Sequence, residues 1–300
     1  MIRRLLLSAS TFLMVVPTFA DETANRPKIY GIAYVKVKAT DIEKSKAFYR
    51  DALGLQAGGP NCKGVANPCF SINGAQHIEL VKTEVGDTKP FLPEIGLAIS
   101  SAPQMLNYLT AKGIAASKVL KRPDGTQYLE VLDPEQHKIV FVEGAAAEPG
   151  AWRKGTVSNR LLHVGLVVKD SKAESRFYED ALGFNVYWHG GFKDDETDWY
   201  MVQVPDGTDW IEYMLNIPAD AGHRELGIQY HLSLGVEDVK ATARWLASRG
   251  VQVDGPPLLG RDGKWQLTLY DPDDTRAEVM EFTPAEKPCC STYGGTQPKP

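Results

Sequence analysis

Apolar and polar residues alternate over Val35–Lys38 at the end of the strand IAYVKVKA, where Val35 and Val37 face away from Lys36 and Lys38 with the two-residue period of a strand. The period then changes. Ile42, Ala47, Phe48, Ala52 and Leu53 fall on one face of a helix, and short strands follow, ending in AQHIELVKT. A second unit repeats the order: the strand EIGLAIS, the helix PQMLNYLTAKG closed by Gly113, a hairpin turned at Pro123, Asp124 and Gly125, and the strand KIVFVE.

The later half repeats this scheme as LLHVGLVV, KAESRFYEDALG and WIEYMLNI, then YHLSLGV, KATARWLASRG, a turn at Asp262 and Gly263, and AEVMEF. A self-similarity of this length sets the architecture before any single residue does. The fold class is α+β, with four βαβββ units paired into two domains, 28–144 and 158–284. The stretch 145–157, rich in Ala, Glu, Pro and Gly, reads as the linker. At 300 residues each domain is long enough to bury its own core.

The ends are not expected to join either domain. Residues 1–20 combine Arg3 and Arg4, an apolar run from Leu5 to Val16 and a small-residue end at Thr18 and Ala20, a secretory signal cleaved before Asp21. The run is short for a membrane span, so a periplasmic or secreted protein with no membrane attachment after cleavage is expected. In that oxidising setting Cys62 and Cys69, in one Gly, Pro and Asn-rich loop, are expected to pair. Cys289 and Cys290 lie in the tail 285–300, which reads as disordered from its Pro, Gly and Ser content, and their pairing stays open. A net charge of −5 without any basic run gives no reason to expect nucleic acid. The expected partner is a small molecule. A monomer already carries both domains, and a homodimer is the alternative.

Registering the halves on Asp41 with Asp170, Glu79 with Glu212, Gly113 with Gly250 and Asp133 with Asp271 exposes four strand positions that can be compared directly. The later half has His163, Glu212, His231 and Glu278; the earlier has Tyr34, Glu79, Glu94 and Val140. Two imidazoles and two carboxylates suit one divalent metal ion (Ni, Zn, Mn or Fe(II)), with positions left for substrate. Alternation along the strands puts Trp210, Glu212 and Met214 on one face and Arg276, Glu278 and Met280 on another. Glu281 is the rival for the last ligand, although odd spacing puts it opposite Glu278. The early half, lacking two of the four, is expected to bind metal poorly.

The opening LLHVGLVVKD…FYEDALGF, the strand YHLSLGV and the closing DPDDTRAEVMEF resemble the vicinal oxygen chelate superfamily, which includes glyoxalase I, type I extradiol dioxygenases and bleomycin-resistance proteins. The resemblance covers about residues 28–284. It implies two vicinal-oxygen-chelate domains, each an open cup built from two βαβββ units, and it places the metal-binding carboxylate on Glu278. The DPDG turn of the family stands here as Asp271, Pro272, Asp273, Asp274. A glyoxalase I-like His, Glu, His, Glu set maps onto His163, Glu212, His231 and Glu278. Extradiol enzymes put a catalytic histidine where this chain has Glu212, and they have a further histidine absent from GRDGKWQLTLY; Tyr270 lies close to where they place a tyrosine.

The expected activity is therefore that of a glyoxalase-I-like isomerase or lyase. Proton transfer next to a carbonyl would proceed through a metal-stabilised enediolate, with Glu212 or Glu278 as base. Replacing Glu212 with Gln is expected to abolish turnover while mostly retaining metal. An exported protein lacks the cytosolic thiol pool of a literal glyoxalase, so another oxygenated substrate is expected. Tyr187, His189, Tyr200, Trp210, Trp265 and Tyr270 are candidate cup-lining residues, with ordinary packing the simpler reading for most of them. The alternatives are Fe(II) extradiol ring cleavage and non-catalytic binding of the bleomycin-resistance type.

Overall fold

A computed structural model of the protein describes residues 25–86, 90–146 and 153–300. The segment 1–20 and the centre of the linker lie outside the described residues. The first half holds β1 (Ile29–Ala39), α1 (Ile42–Lys46), β2 (Gln56–Ala57), β3 (Cys69–Ser71), β4 (His77–Lys82), β5 (Glu94–Ile99), α2 (Ala102–Ala111), β6 (Leu120–Lys121), β7 (Gln127–Leu132) and β8 (Lys138–Glu143). The second holds β9 (Leu161–Val167), α3 (Ser171–Ser175), β10 (Asn185–Gly190), β11 (Trp199–Gln203), β12 (Trp210–Met214), α4 (His223–Gln229), β13 (His231–Val236), α5 (Val239–Ser248), β14 (Leu258–Leu259), β15 (Trp265–Tyr270) and β16 (Arg276–Glu281).

Each half forms one eight-stranded mixed sheet, in the orders β2-β3-β4-β1-β5-β8-β7-β6 and β10-β11-β12-β9-β13-β16-β15-β14. The expected α+β class and four βαβββ modules are what the structure contains. Within each half the opening strands of the two modules pair antiparallel at the sheet centre, β1 with β5 and β9 with β13. Each of these also pairs parallel with the last strand of its own module, as β12 does with β9 and β16 with β13. This arrangement carries β9, β12, β13 and β16 side by side through the middle of the second cup.

The helix of each opening module is shorter in its α part than the periodicity suggests. After the N-caps Asp41 and Asp170, α1 and α3 pass into a wider turn over Ala47–Ala52 and Arg176–Ala181, with Leu53 N donating to Phe48 O and Leu182 N to Phe177 O, both 3.0 Å. That turn places Tyr49 and Tyr178 to reach the opposite half. The helix-covered faces of both sheets share one apolar core, containing among others Ile32, Leu97, Phe141, Val164, Leu234 and Val279. The concave faces hold separate small clusters, Tyr34, Ala98 and Val140 in the first half and Tyr187, Trp188, Trp210 and Met280 in the second.

Cys62 and Cys69 are joined, as are the adjacent Cys289 and Cys290. The tail departs from the expected disorder. Trp188 Nε1 donates to Cys289 O at 3.2 Å, His189 N to Ser291 Oγ at 2.9 Å, and Gly294 N to Tyr187 O at 2.8 Å. Further along, the Tyr187 hydroxyl donates to Gln297 at 2.6 Å. The partners are the polar groups of β10, the edge of the second sheet, which would otherwise stand open. Proline and glycine stop the tail from becoming a strand, but they leave its remaining peptide groups able to cover one.

Candidate metal centre

His163 on β9, Glu212 on β12, His231 on β13 and Glu278 on β16 come from the four central strands and face the same concavity. All are buried, with at most 5 % exposure. His163 Nε2 lies 3.0 Å from His231 Nε2 and 3.3 Å from Glu212 Oε2, and His231 Nε2 lies 3.1 Å from the same oxygen. Glu278 Oε2 is 3.4 Å from His163 Nε2, and Arg276 donates to its other oxygen at 3.2 Å. Atoms bound to one first-row ion at about 2.1 Å are spaced roughly 3.0–3.4 Å along the edges of an octahedron or tetrahedron.

The hydrogen-bond chemistry makes the same point. His231 Nδ1 lies 2.8 Å from the carbonyl of Gln229, which can only accept, so Nδ1 carries a proton and neutral His231 turns an Nε2 lone pair inward. Burial, and then the charge of Arg276, depress the His231 pKa and favour that neutral ring. Burial alone would raise the Glu212 carboxyl. A proton on the Nε2 of His163 or His231 would outweigh it and hold Glu212 well below the usual carboxylate range, but with both Nε2 lone pairs turned inward that proton is missing. The lone pairs thus crowd together, and Glu278 Oε2 and His163 Nδ1 have no hydrogen-bond partner. A cation among them removes the repulsion and the desolvation cost.

Close packing of the backbone is what admits His231. A Cβ on Gly165, its cross-strand partner, would stand 2.0 Å from the imidazole. In the first half the corresponding residue is Lys36, paired with both Glu79 and Glu94. Its ammonium lies 2.7 Å from Glu94 and 3.9 Å from Glu79, and the Tyr34 hydroxyl donates to Glu94 at 2.7 Å. A lysine side chain therefore supplies the positive charge between these two carboxylates.

A cavity of about 250 Å³ opens onto the second-half centre, lined by Glu212, Glu278, Arg276, Trp188, Phe192 and Trp199, and bordered by residues 258–262. Of the aromatic candidates, Trp210 stacks on His163 with ring centroids 4.6 Å apart. Tyr270 does not line this cavity: Arg224 sits 3.3 Å over its ring, and burial, partly offset by that cation, raises its hydroxyl. Glu281 faces the other side and accepts from Val239 N at the start of α5.

Sequence reasoning missed Asp262 and Lys264. Asp262 lines the cavity, and buried Lys264 donates to Phe282 O at 3.0 Å. Burial raises the Asp262 carboxyl to about 6 and lowers the Lys264 ammonium to about 8. An Asp-Gly turn followed by lysine reads as solvent-facing, and only the tail residue Tyr293, whose hydroxyl donates to Asp262, shows that it is enclosed. A groove of about 790 Å³ between the halves, bordered by Lys38, Phe91, His223 and Tyr230, contains none of the four ligand candidates.

Residues 160–279 match the family described as the Glyoxalase/Bleomycin resistance protein/Dioxygenase superfamily. No curated protein matches the chain significantly. Among solved structures, the Mn(II)-bound glyoxalase from Novosphingobium aromaticivorans is 19 % identical with a TM-score of 0.62, over 85 % of this chain and 83 % of that one. The 2,3-dioxygenase LapB from Pseudomonas sp. KL28 is 16 % identical with a TM-score of 0.64, over 92 % and 96 %. Homoprotocatechuate 2,3-dioxygenase from Brevibacterium fuscum, in complex with 3,4-dihydroxyphenylacetate, is 18 % identical with a TM-score of 0.61, over 86 % and 82 %.

Proposed function

Since residues 160–279 match the glyoxalase, bleomycin-resistance and dioxygenase superfamily, we propose that this chain is a metal-dependent enzyme of the glyoxalase I kind, moving a proton beside a carbonyl of a small oxygenated substrate. The observation that carries the reading is the set of imidazole and carboxylate lone pairs held 3.0–3.3 Å apart around His163, Glu212 and His231. When bound there, a divalent ion supplies Lewis-acid stabilisation of negative charge on substrate oxygens.

The protein groups divide the remaining work. His163 and His231 lie close to Glu212, which makes it the firmer ligand. Glu278 borders the cavity with an unpartnered Oε2, and we assign it the base that takes the proton from one carbon and returns it to the next. Arg276 has a buried Nε without a partner and lines the same wall, suited to fixing a substrate oxygen. Trp188, Phe192 and Trp199 give the cavity an apolar wall beside the ligand candidates. We further propose an oxidising compartment, supported by the Cys62–Cys69 bond.

Those aromatic walls also favour a second reading, oxygen-dependent cleavage of a catechol. One experiment separates the two. Protein loaded separately with Mn, Ni, Zn and Fe(II) is mixed with 2-hydroxycarbonyl compounds in deuterated water and, in parallel, with catechols in an oxygen electrode. Deuterium entering the carbon skeleton without oxygen uptake supports proton transfer. Oxygen uptake with ring opening replaces it with the dioxygenase reading, and metal content unchanged by His163→Ala removes both.

A further inference from the structure

A contact between the halves is built twice, and the two copies differ in chemistry. Tyr178 OH, from the second half, donates to Asp133 Oδ2 at 3.1 Å, and Tyr49 OH, from the first, donates to Asp271 Oδ2 at 3.0 Å. Each aspartate also caps its own turn, accepting from His137 N at 2.7 Å in one case and Thr275 N at 2.9 Å in the other. At the Asp271 copy the turn position is Thr275 and the helix position four residues after Asp41 is Ser45, both small hydroxyls. Registered on Asp41 with Asp170 and on Asp133 with Asp271, the same two places in the other copy hold Glu174 and His137.

The substitution creates a compact donor set. Asp133, His137 and Glu174 each offer a ligand atom, and these atoms all lie within 4.8 Å of one another. Glu174 is fully buried. Its Oε1 accepts from Glu135 N at 2.9 Å, whereas its Oε2 has no partner at all. His137 Nδ1 lies 2.9 Å from Asp133 Oδ2. Glu135 and Asp170 add to the negative field. Two carboxylates and an imidazole enclosed in this way lack one thing, a positive charge.

We propose that Asp133, His137 and Glu174 form a second divalent-metal site, distinct from the cup, that clamps the second half's α3 to the first half's β7–β8 turn. An oxygen-rich set with a single imidazole suits zinc or manganese. The ion would neutralise the paired carboxylates and use the free Glu174 oxygen. It would also tie together elements 41 positions apart in sequence, Asp133 and Glu174.

The test uses the full chain with His163→Ala and His231→Ala to empty the cup, loaded with zinc sulfate, desalted and assayed for bound metal by mass spectrometry. One equivalent of zinc is expected to remain and to be lost when Glu174→Gln is added, a change that preserves shape. No retained zinc in a variant with native circular dichroism overturns the proposal, and so does zinc that survives Glu174→Gln. If the double variant fails to fold, Glu174→Gln in the otherwise native chain must lower bound zinc by one equivalent; an unchanged content overturns the site. Neither readout depends on activity, so the clamp and the catalytic reading fail separately.

Discussion

Glu212 and Glu278 border the same cavity, yet their surroundings assign them different work. Glu212 Oε2 lies 3.1 Å from His231 and 3.3 Å from His163, whereas Glu278 Oε2 approaches one imidazole, at 3.4 Å, and accepts no hydrogen bond. Glu212→Gln is therefore expected to lose bound metal, at variance with the sequence-based expectation that it would mostly retain it. Glu278→Gln is expected to keep at least part of the metal while kcat falls on the order of 100-fold or more, the usual weight of a positioned base. Metal analysis beside single-turnover rates checks both, and retention of metal by Glu212→Gln with loss by Glu278→Gln would reverse the assignment. Gly165 is equally decisive although it has no side chain. A methyl group there meets the His231 ring, so Gly165→Ala is expected to displace the imidazole, cost about 1–3 kcal/mol and weaken metal binding. Metal titration with chemical denaturation tests it; wild-type affinity would show that His231 is not held by this contact. The four ligand candidates could be picked out because the repeat fixes which strand positions correspond, and the second half puts two imidazoles and two carboxylates at those positions. The glycine could not: its role depends on a cross-strand neighbour 66 positions away in sequence, which only pairing reveals.

At the scale of elements, the tail and the edge strand explain each other. Composition alone marks residues 285–300 as loose, and the chain forms no strand there. What composition cannot show is that β10 ends the second sheet with unpaired peptide groups, and that Tyr187, Trp188, His189 and Gln203 await partners. The strands β9, β13 and β16, by contrast, were legible as short apolar runs bounded by turn residues, and each is buried on both faces. Deleting residues 287–300 is expected to strip these hydrogen bonds, each worth roughly 0.5–1.5 kcal/mol net, and to leave an edge open to association. The truncated protein should unfold at lower urea and elute from a sizing column at a concentration-dependent position. An unchanged midpoint with monomeric elution would mean that the tail contributes neither stability nor protection. Because Tyr293 also reaches Asp262, the same truncation admits water beside the cavity wall.

For the whole molecule, the two halves are held by groups that are ionisable and enclosed, so the assembly responds to pH. Gln76 spans the interface, donating to Ile32 O and Leu161 O, while Asp209 accepts from Ile32 N and Arg160. Asp271 is buried, and that burial, although opposed by the hydrogen bonds from Thr275, Asp273 and Tyr49, raises its carboxyl to about 7. In the unfolded chain an aspartate ionises near about 3.9. Between these two values the folded protein binds the extra proton, so the Asp271 contribution is fully present below about 4 and is lost as pH rises through about 7, falling by at most roughly 1.4 kcal/mol per pH unit. Glu174, raised to about 8, acts in the same direction in metal-free protein. Asp271→Asn removes one titration while keeping an oxygen to accept from the turn. Urea unfolding of the metal-free protein at pH 5 and pH 7.5 should then show a smaller loss of stability in the variant than in the wild type. Equal losses would mean that Asp271 stays ionised across this range and that the latch with Tyr49 holds a charge rather than a proton.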